Sequence, residues 1–171
     1  MGDITHAIAW LQSKKRYTMS TQTSYEFNES TKYGGFWIRV GAYFVDVVVL
    51  LIPNLLITFL LNATTPVENE VDKAILDMMS MTFNIILWWV YSAVLQSSAW
   101  QATVGKKAVG LKVVDENGKR ISFGRATGRY FASFISVLIL GIGYMMVGWT
   151  SRKQGLHDMI AGTLVVYEQN A

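Results

Sequence analysis

The chain has 171 residues, of which 51% are hydrophobic and only 16% charged, with a mean hydropathy of +0.28 and a net charge of +3. So few charges exclude an ordinary soluble domain and leave room for one membrane domain with short tails. With no cysteine, a disulfide framework, a thiolate zinc site and a cysteine nucleophile are also excluded.

Residues 1–33 read as a polar cytoplasmic tail without an apolar run long enough for a cleaved secretion signal. Ile4, Ala7, Ile8 and Leu11 share a helix face ahead of Lys14, Lys15 and Arg16, which suits a short interfacial helix on an anionic membrane. The Ser, Thr, Asn and Gln content from Ser20 to Lys32 favours the simpler reading of a frayed tail, and Met19 offers an alternative start. His6 stands where a myristoylation signal wants Ser or Thr, so no lipid anchor is expected.

Residues 34–168 read as the transmembrane domain, followed by a tail at 169–171. The first span is expected over about 36–61, interrupted by Arg39 and Asp46 and kinked at Pro53, which lacks an amide donor. A second span is expected over about 78–98, with Trp88 and Trp89 near its middle, where they read as packing residues rather than interfacial anchors.

Loop charges set the expected orientation. Asn62 to Asp77 holds Lys73 against Glu68, Glu70, Asp72 and Asp77. Trp100 to Phe131 holds Lys106, Lys107, Lys112, Lys119, Arg120, Arg125 and Arg129 against Asp115 and Glu116. The acidic loop should lie outside, and the basic loop and amino terminus in the cytoplasm.

A third apolar segment, over about 126–150, would carry Arg152 and Lys153 outside if it crossed straight. Leu140-Gly-Ile-Gly143 predicts a break, because each glycine lowers helix stability by about 1 kcal/mol relative to alanine. Two half-helices, roughly Arg125 to Ile139 and Tyr144 to Thr150, would then re-enter and return to the cytoplasm; a straight crossing is the alternative.

Between the second and third segments, Leu111 to Val114 and Arg120 to Phe123 flank the turn-forming Asp115-Glu-Asn-Gly118, which predicts a β-hairpin, with Ser122 capping the next helix. Gly162 to Glu168 has strand composition and suits a third strand. The fold class is thus an all-α membrane protein: a small bundle of two long transmembrane helices plus a broken or re-entrant third segment, with a small cytoplasmic β-hairpin or sheet.

Four motifs in order carry a family resemblance. They are Arg39 followed by Asp46 in the opening helix, Thr103 to Asp115 (TVGKKAVGLKVVD), Ile121 to Ala126 (ISFGRA), and Gly155 to Thr163 (GLHDMIAGT). Together they resemble the RDD family of bacterial membrane proteins, over about Tyr33 to Glu168. That family is named for one arginine and two aspartates, which fall by motif on Arg39, Asp46 and Asp158. The resemblance implies a multi-pass protein of the bacterial inner (cytoplasmic) membrane, with transport, including cation/proton exchange, among the suggested roles. Thr150 departs from the acidic or amide residue expected there.

The residues support a reading of their own. Asp46 lies ten residues beyond Phe36, about 15 Å along a helix and close to the middle of a ~30 Å core. An aspartate there costs roughly 2.5 to 3.5 kcal/mol, so it should face the protein interior, find a partner or be protonated. The expected arrangement is a buried polar cluster of Asp46 with at least one of Arg39, Arg125 and Arg129, closed by Asp158 from the cytoplasmic side. Arg39 reads equally as an anchor that snorkels to the headgroups. His157 beside Asp158 invites a proton-relay reading, although such a dipeptide is more often a surface pair or a helix cap.

Metalloprotease, hydrolase and phosphate-loop motifs are absent, and His6 and His157 are too far apart to suggest a local metal site. The expectation is therefore no enzyme, no cofactor and no metal. The basic loop is explained by topology and membrane lipid, so no nucleic acid is expected. Two function classes remain. One is a transporter or exchange component in which Asp46 carries a small cation or proton; with so few helices it needs a homo-oligomer or a partner subunit. The other is a noncatalytic assembly or lipid-interacting module whose charges only hold the bundle together.

Overall fold

The computed structural model describes residue 27 and residues 31–168; the expected amino-terminal interfacial helix, the Met19 start and the 169–171 tail lie outside the described residues. Two long helices dominate, α1 (Phe36–Thr64) and α2 (Glu70–Ser97). Both are long and apolar enough to cross a membrane. Their packing is inverted relative to a soluble bundle. On α1 only Ala42, Asp46 and Leu50 are buried, one stripe at four-residue spacing, whereas Trp37, Val48 and Ile52 are exposed. The apolar exterior suits lipid, and the inward stripe carries the helix's one carboxylate.

The second helix begins eight residues before the expected span. Asn69 caps it, accepting from the amides of Val71 and Asp72 at 2.9 Å, and Glu70 and Asp72 complement the helix dipole in the first turn. Hydropathy marks the apolar part of a helix and misses a polar first turn fixed by its cap. An Asn54 to Asn84 hydrogen bond joins α1 to α2 one residue after Pro53, within the helix that continues through the proline. Trp88 and Trp89 pack as expected: Trp88 stacks on Tyr43, and Trp89 donates to Thr127 Oγ1 at 3.1 Å.

A short helix α3 (Val104–Ala108) leads into β1 (Leu111–Asp115). The partner of β1 is not the neighbouring 120–123 stretch but the distant β2 (Thr163–Tyr167), antiparallel, with Leu111 opposite Tyr167 and Asp115 opposite Thr163. The expected hairpin is thereby corrected. Residues 115–118 do turn, with the Asp115 carboxylate accepting from the amides of Asn117 and Lys119, but the return stretch forms only a Val114–Arg120 bridge before Ser122 caps the next helix. The capping claims Ser122 and Phe123 for the helix and leaves too few residues for a strand. Tyr33 pairs with Val166, so the segment entering α1 joins the same sheet region. Leu111, Val113, Ile121 and Val165 pack there against Ala93 and Ala126.

The third apolar segment is broken where the glycines predict. Helix α4 (Phe123–Leu138) ends before Leu140 and Gly141, both at positive φ, and α5 (Ile142–Met145) with its following 3-10 turn leaves at a bend of 114°. After it, α6 (Leu156–Ile160) leads into β2. Because β2 pairs with β1, the chain enters and leaves this segment at the same end of the bundle. The segment is therefore sharply bent and its two ends lie together, the geometry expected of a re-entrant hairpin.

Candidate functional site

The two aspartates of the expected cluster are both buried, yet they have separate partners. Asp158 sits in α6, where its carboxylate caps the helix by accepting from the Gly155 amide at 3.1 Å. The same carboxylate receives two guanidiniums. Arg39 Nη1 reaches Oδ2 at 2.5 Å, and Arg129 reaches Oδ1 through Nε at 2.8 Å and Nη2 at 2.5 Å. Burial alone would raise the Asp158 carboxyl, but Arg129 and then Arg39 outweigh it and hold the group well below the usual carboxylate range. Arg39 is therefore no snorkelling anchor: it also donates to the carbonyls of Gly34 and Lys153.

Among the described residues, Asp46 takes only neutral donors. Tyr91 Oη at 2.6 Å and the Gly105 amide at 2.7 Å reach Oδ1, and Thr103 Oγ1 reaches Oδ2 at 2.7 Å. This contradicts the expected pairing of Asp46 with Arg39, Arg125 or Arg129. The reason is the approach of α3: a Cβ on residue 105 would lie 1.9 Å from the Ala42 carbonyl oxygen, so glycine alone lets the α3 backbone reach the inward stripe of α1. The connection thus supplies two of the carboxylate's three donors, and no arginine bonds to it among the described residues. Arg125 lies outside the site, half-exposed and 3.3 Å from Asp115.

A profile of the RDD family matches residues 33–162. The chain belongs to the RDD family. It is 39% identical to the Bacillus subtilis protein YxaI, over 80% of this chain and 99% of that protein. It is 31% identical to the Bacillus subtilis membrane protein YteJ, covering 80% and 82% of the two chains. YckC of the same organism is 26% identical, at 80% and 85% coverage. No solved structure matches the chain. In this RDD protein Arg39 and Asp158 form a buried ion pair, while Asp46 docks α3.

His157 lies beside the pair, its Nδ1 3.4 Å from Ser136 Oγ and its Nε2 3.5 Å from Asp158 Oδ1, with Tyr144 against the ring. Burial lowers its pKa to about 4 despite the attraction of Asp158, so the ring is neutral at pH 7. A relay through it would need a proton that this environment disfavours. Around these groups lies a cavity of about 500 Å³ between the helices, lined by Arg39, Asp46, Lys106 and Arg129 among aromatic residues.

Sequence reasoning missed Lys106, Gln96 and Tyr91. Gln96 is buried and accepts from Arg129 Nη1 at 2.6 Å, adding a neutral partner to that guanidinium. Lys106 belongs to the TVGKK motif, which carried the family resemblance but no assigned role. Near the end of the re-entrant segment, the departing residue Thr150 closes a turn with Gln154 by accepting from its amide at 2.8 Å and donating to its carbonyl at 3.0 Å.

Proposed function

We propose that this RDD protein is a non-enzymatic component of the bacterial cytoplasmic membrane that exchanges a small charged solute or proton between the two sides. The observation that carries the reading is the cavity of about 500 Å³, its mainly apolar wall interrupted by Arg39, Asp46, Lys106 and Arg129, within the size range of small-molecule sites. Loop charges support an orientation with the sheet and the segment entering α1 in the cytoplasm and residues 65–69 outside. Broken helices in membranes commonly border solute sites, which agrees with the bend after α4.

This orientation revises the depth of Asp46. Counted from Leu61, the last apolar residue before the outer turn, Asp46 lies fifteen residues or about 22 Å inward. In a ~30 Å core it is then about 8 Å from the cytoplasmic interface rather than at mid-membrane. The cavity is a cytoplasmic-side vestibule, and a second copy or a partner subunit supplies the rest of a pathway.

A second reading is favoured by one observation: all four carboxylate oxygens of Asp46 and Asp158 are occupied by protein donors. In that reading the protein is a membrane assembly or lipid-interacting module with structural charges. Reconstitution in liposomes with cation, proton and anion flux assays separates the two. Flux that is lost in a well-folded Asp46→Asn variant supports exchange through this site; undiminished flux removes Asp46 from the pathway, and no flux of any ion supports the structural reading.

A further inference from the structure

The cavity carries more positive charge than its carboxylates balance. Two guanidiniums share Asp158, and a third cation, Lys106, lines the same space. Lys106 Nζ has one protein partner among the described residues, Thr103 Oγ1 at 3.4 Å, and reaches Asp46 only through that hydroxyl. An ammonium has three donors, so most of its hydrogen-bonding capacity is unused. With His157 neutral, Arg39, Lys106 and Arg129 stand against Asp46 and Asp158, one positive charge in excess. An uncompensated charge in a partly buried site favours a counter-ion.

The remaining wall selects what that counter-ion is attached to. Phe36, Tyr43, Trp88, Tyr91, Tyr130 and Tyr144 line the space, with the Ser92 and Ser133 hydroxyls among them. Its volume far exceeds that of a halide or a single acid group. We propose that the cavity binds an organic monoanion with an apolar body, its acid group taken by Lys106 Nζ and its body packed among the aromatic rings. The proposal rests on the reading of this cavity as a solute site and gives that solute its charge class: anionic, in place of the cation expected from Asp46. The desolvation that lowers the pKa of Lys106 to about 8 agrees, since a bound anion would relieve it.

The test is calorimetric titration of 2-naphthoate and its neutral isostere 2-naphthamide into the full chain in phosphatidylcholine nanodiscs. Saturable naphthoate binding is expected, with naphthamide weaker by about tenfold or more. Lys106→Gln should lower naphthoate affinity by about tenfold and Lys106→Arg should retain it within about threefold, without loss of the thermal transition. Equal affinity for the amide, or unchanged naphthoate affinity in Lys106→Gln, overturns the proposal; the amide comparison needs no variant and stands even if Lys106→Gln fails to fold. Repeating the titration in nanodiscs containing phosphatidylglycerol identifies the source of the anion. Competitive displacement of naphthoate assigns the site to an anionic lipid headgroup, and retained binding assigns it to a soluble acid. Naphthoate binding without flux in liposomes sustains this proposal and defeats exchange, whereas cation flux without naphthoate binding does the reverse.

Discussion

Arg39 and Asp158 meet at 2.5 Å although 119 positions separate them, so the opening turn of α1 is tied to the short helix that follows the re-entrant segment. Arg129 from α4 grips the other oxygen of the same carboxylate. One buried aspartate thus joins three elements that hydrophobic packing in lipid would not hold in register, because lipid tails are as apolar as the side chains they would displace.

Asp158→Asn should therefore be strongly destabilising. Removing one partner of a buried ion pair costs about 3 to 5 kcal/mol, and here two guanidiniums lose it. Asp46→Asn should cost only about 1 kcal/mol, since its partners are neutral and Thr103 can turn its hydroxyl to accept from the new amide. Thermal denaturation of both variants in the same detergent checks the ranking; equal losses would show that Asp46 also bears a charge-pairing role.

Protein stability should fall as pH is lowered from about 6.5 to about 4. His157 has a folded pKa of about 4 against an ordinary 6.5, so in that window the unfolded chain binds the extra proton and stability rises with pH. Asp158 contributes in a separate window below the ordinary carboxylate range, because its carboxyl is held ionised in the fold. Melting temperatures recorded across pH 4 to 7 should slope upward in the parent and flatten in His157→Gln.

Gly105→Val should detach α3 from α1. The added Cβ would lie 1.9 Å from the Ala42 carbonyl oxygen, which the helix backbone fixes, and 2.9 Å from the Asp46 carboxyl carbon. Overpacking of this kind costs about 1 to 3 kcal/mol. Faster amide exchange at Gly105 and its neighbours, with α2 unaffected, is the expected signature.

If Lys106 holds an anion, naphthoate affinity should be level below about pH 8, where the ammonium is charged, and fall above it by about the tenfold expected for Lys106→Gln. Arg39, Asp46, Tyr91, Arg129, Tyr144 and His157 share its cavity, and Arg129 and Arg39 disfavour the charged lysine while Asp46 and Asp158 support it. A flat profile through pH 9 would assign the acid group to the arginines instead.

Single cysteines test sidedness without background, because the chain has none. An impermeant reagent applied outside intact cells should label a cysteine at exposed position 69 and miss one at exposed position 116. The reverse labelling would invert the topology.

The sequence by itself determined the membrane character, both long helices, the break near 140–143 and the burial of Asp46. Each is a local property: an apolar run, a glycine pair, or a charge too costly to face lipid. Who pairs with whom was decided only in three dimensions. A carboxylate in hydrocarbon demands donors but does not specify them. At Asp46 the glycine-permitted approach of α3 supplied a hydroxyl and an amide first, leaving the arginines to Asp158. The sheet follows the same logic, since Leu111 to Asp115 has strand composition but its partner lay beyond the re-entrant segment, where strand pairing depends on both ends of that segment meeting at one end of the bundle.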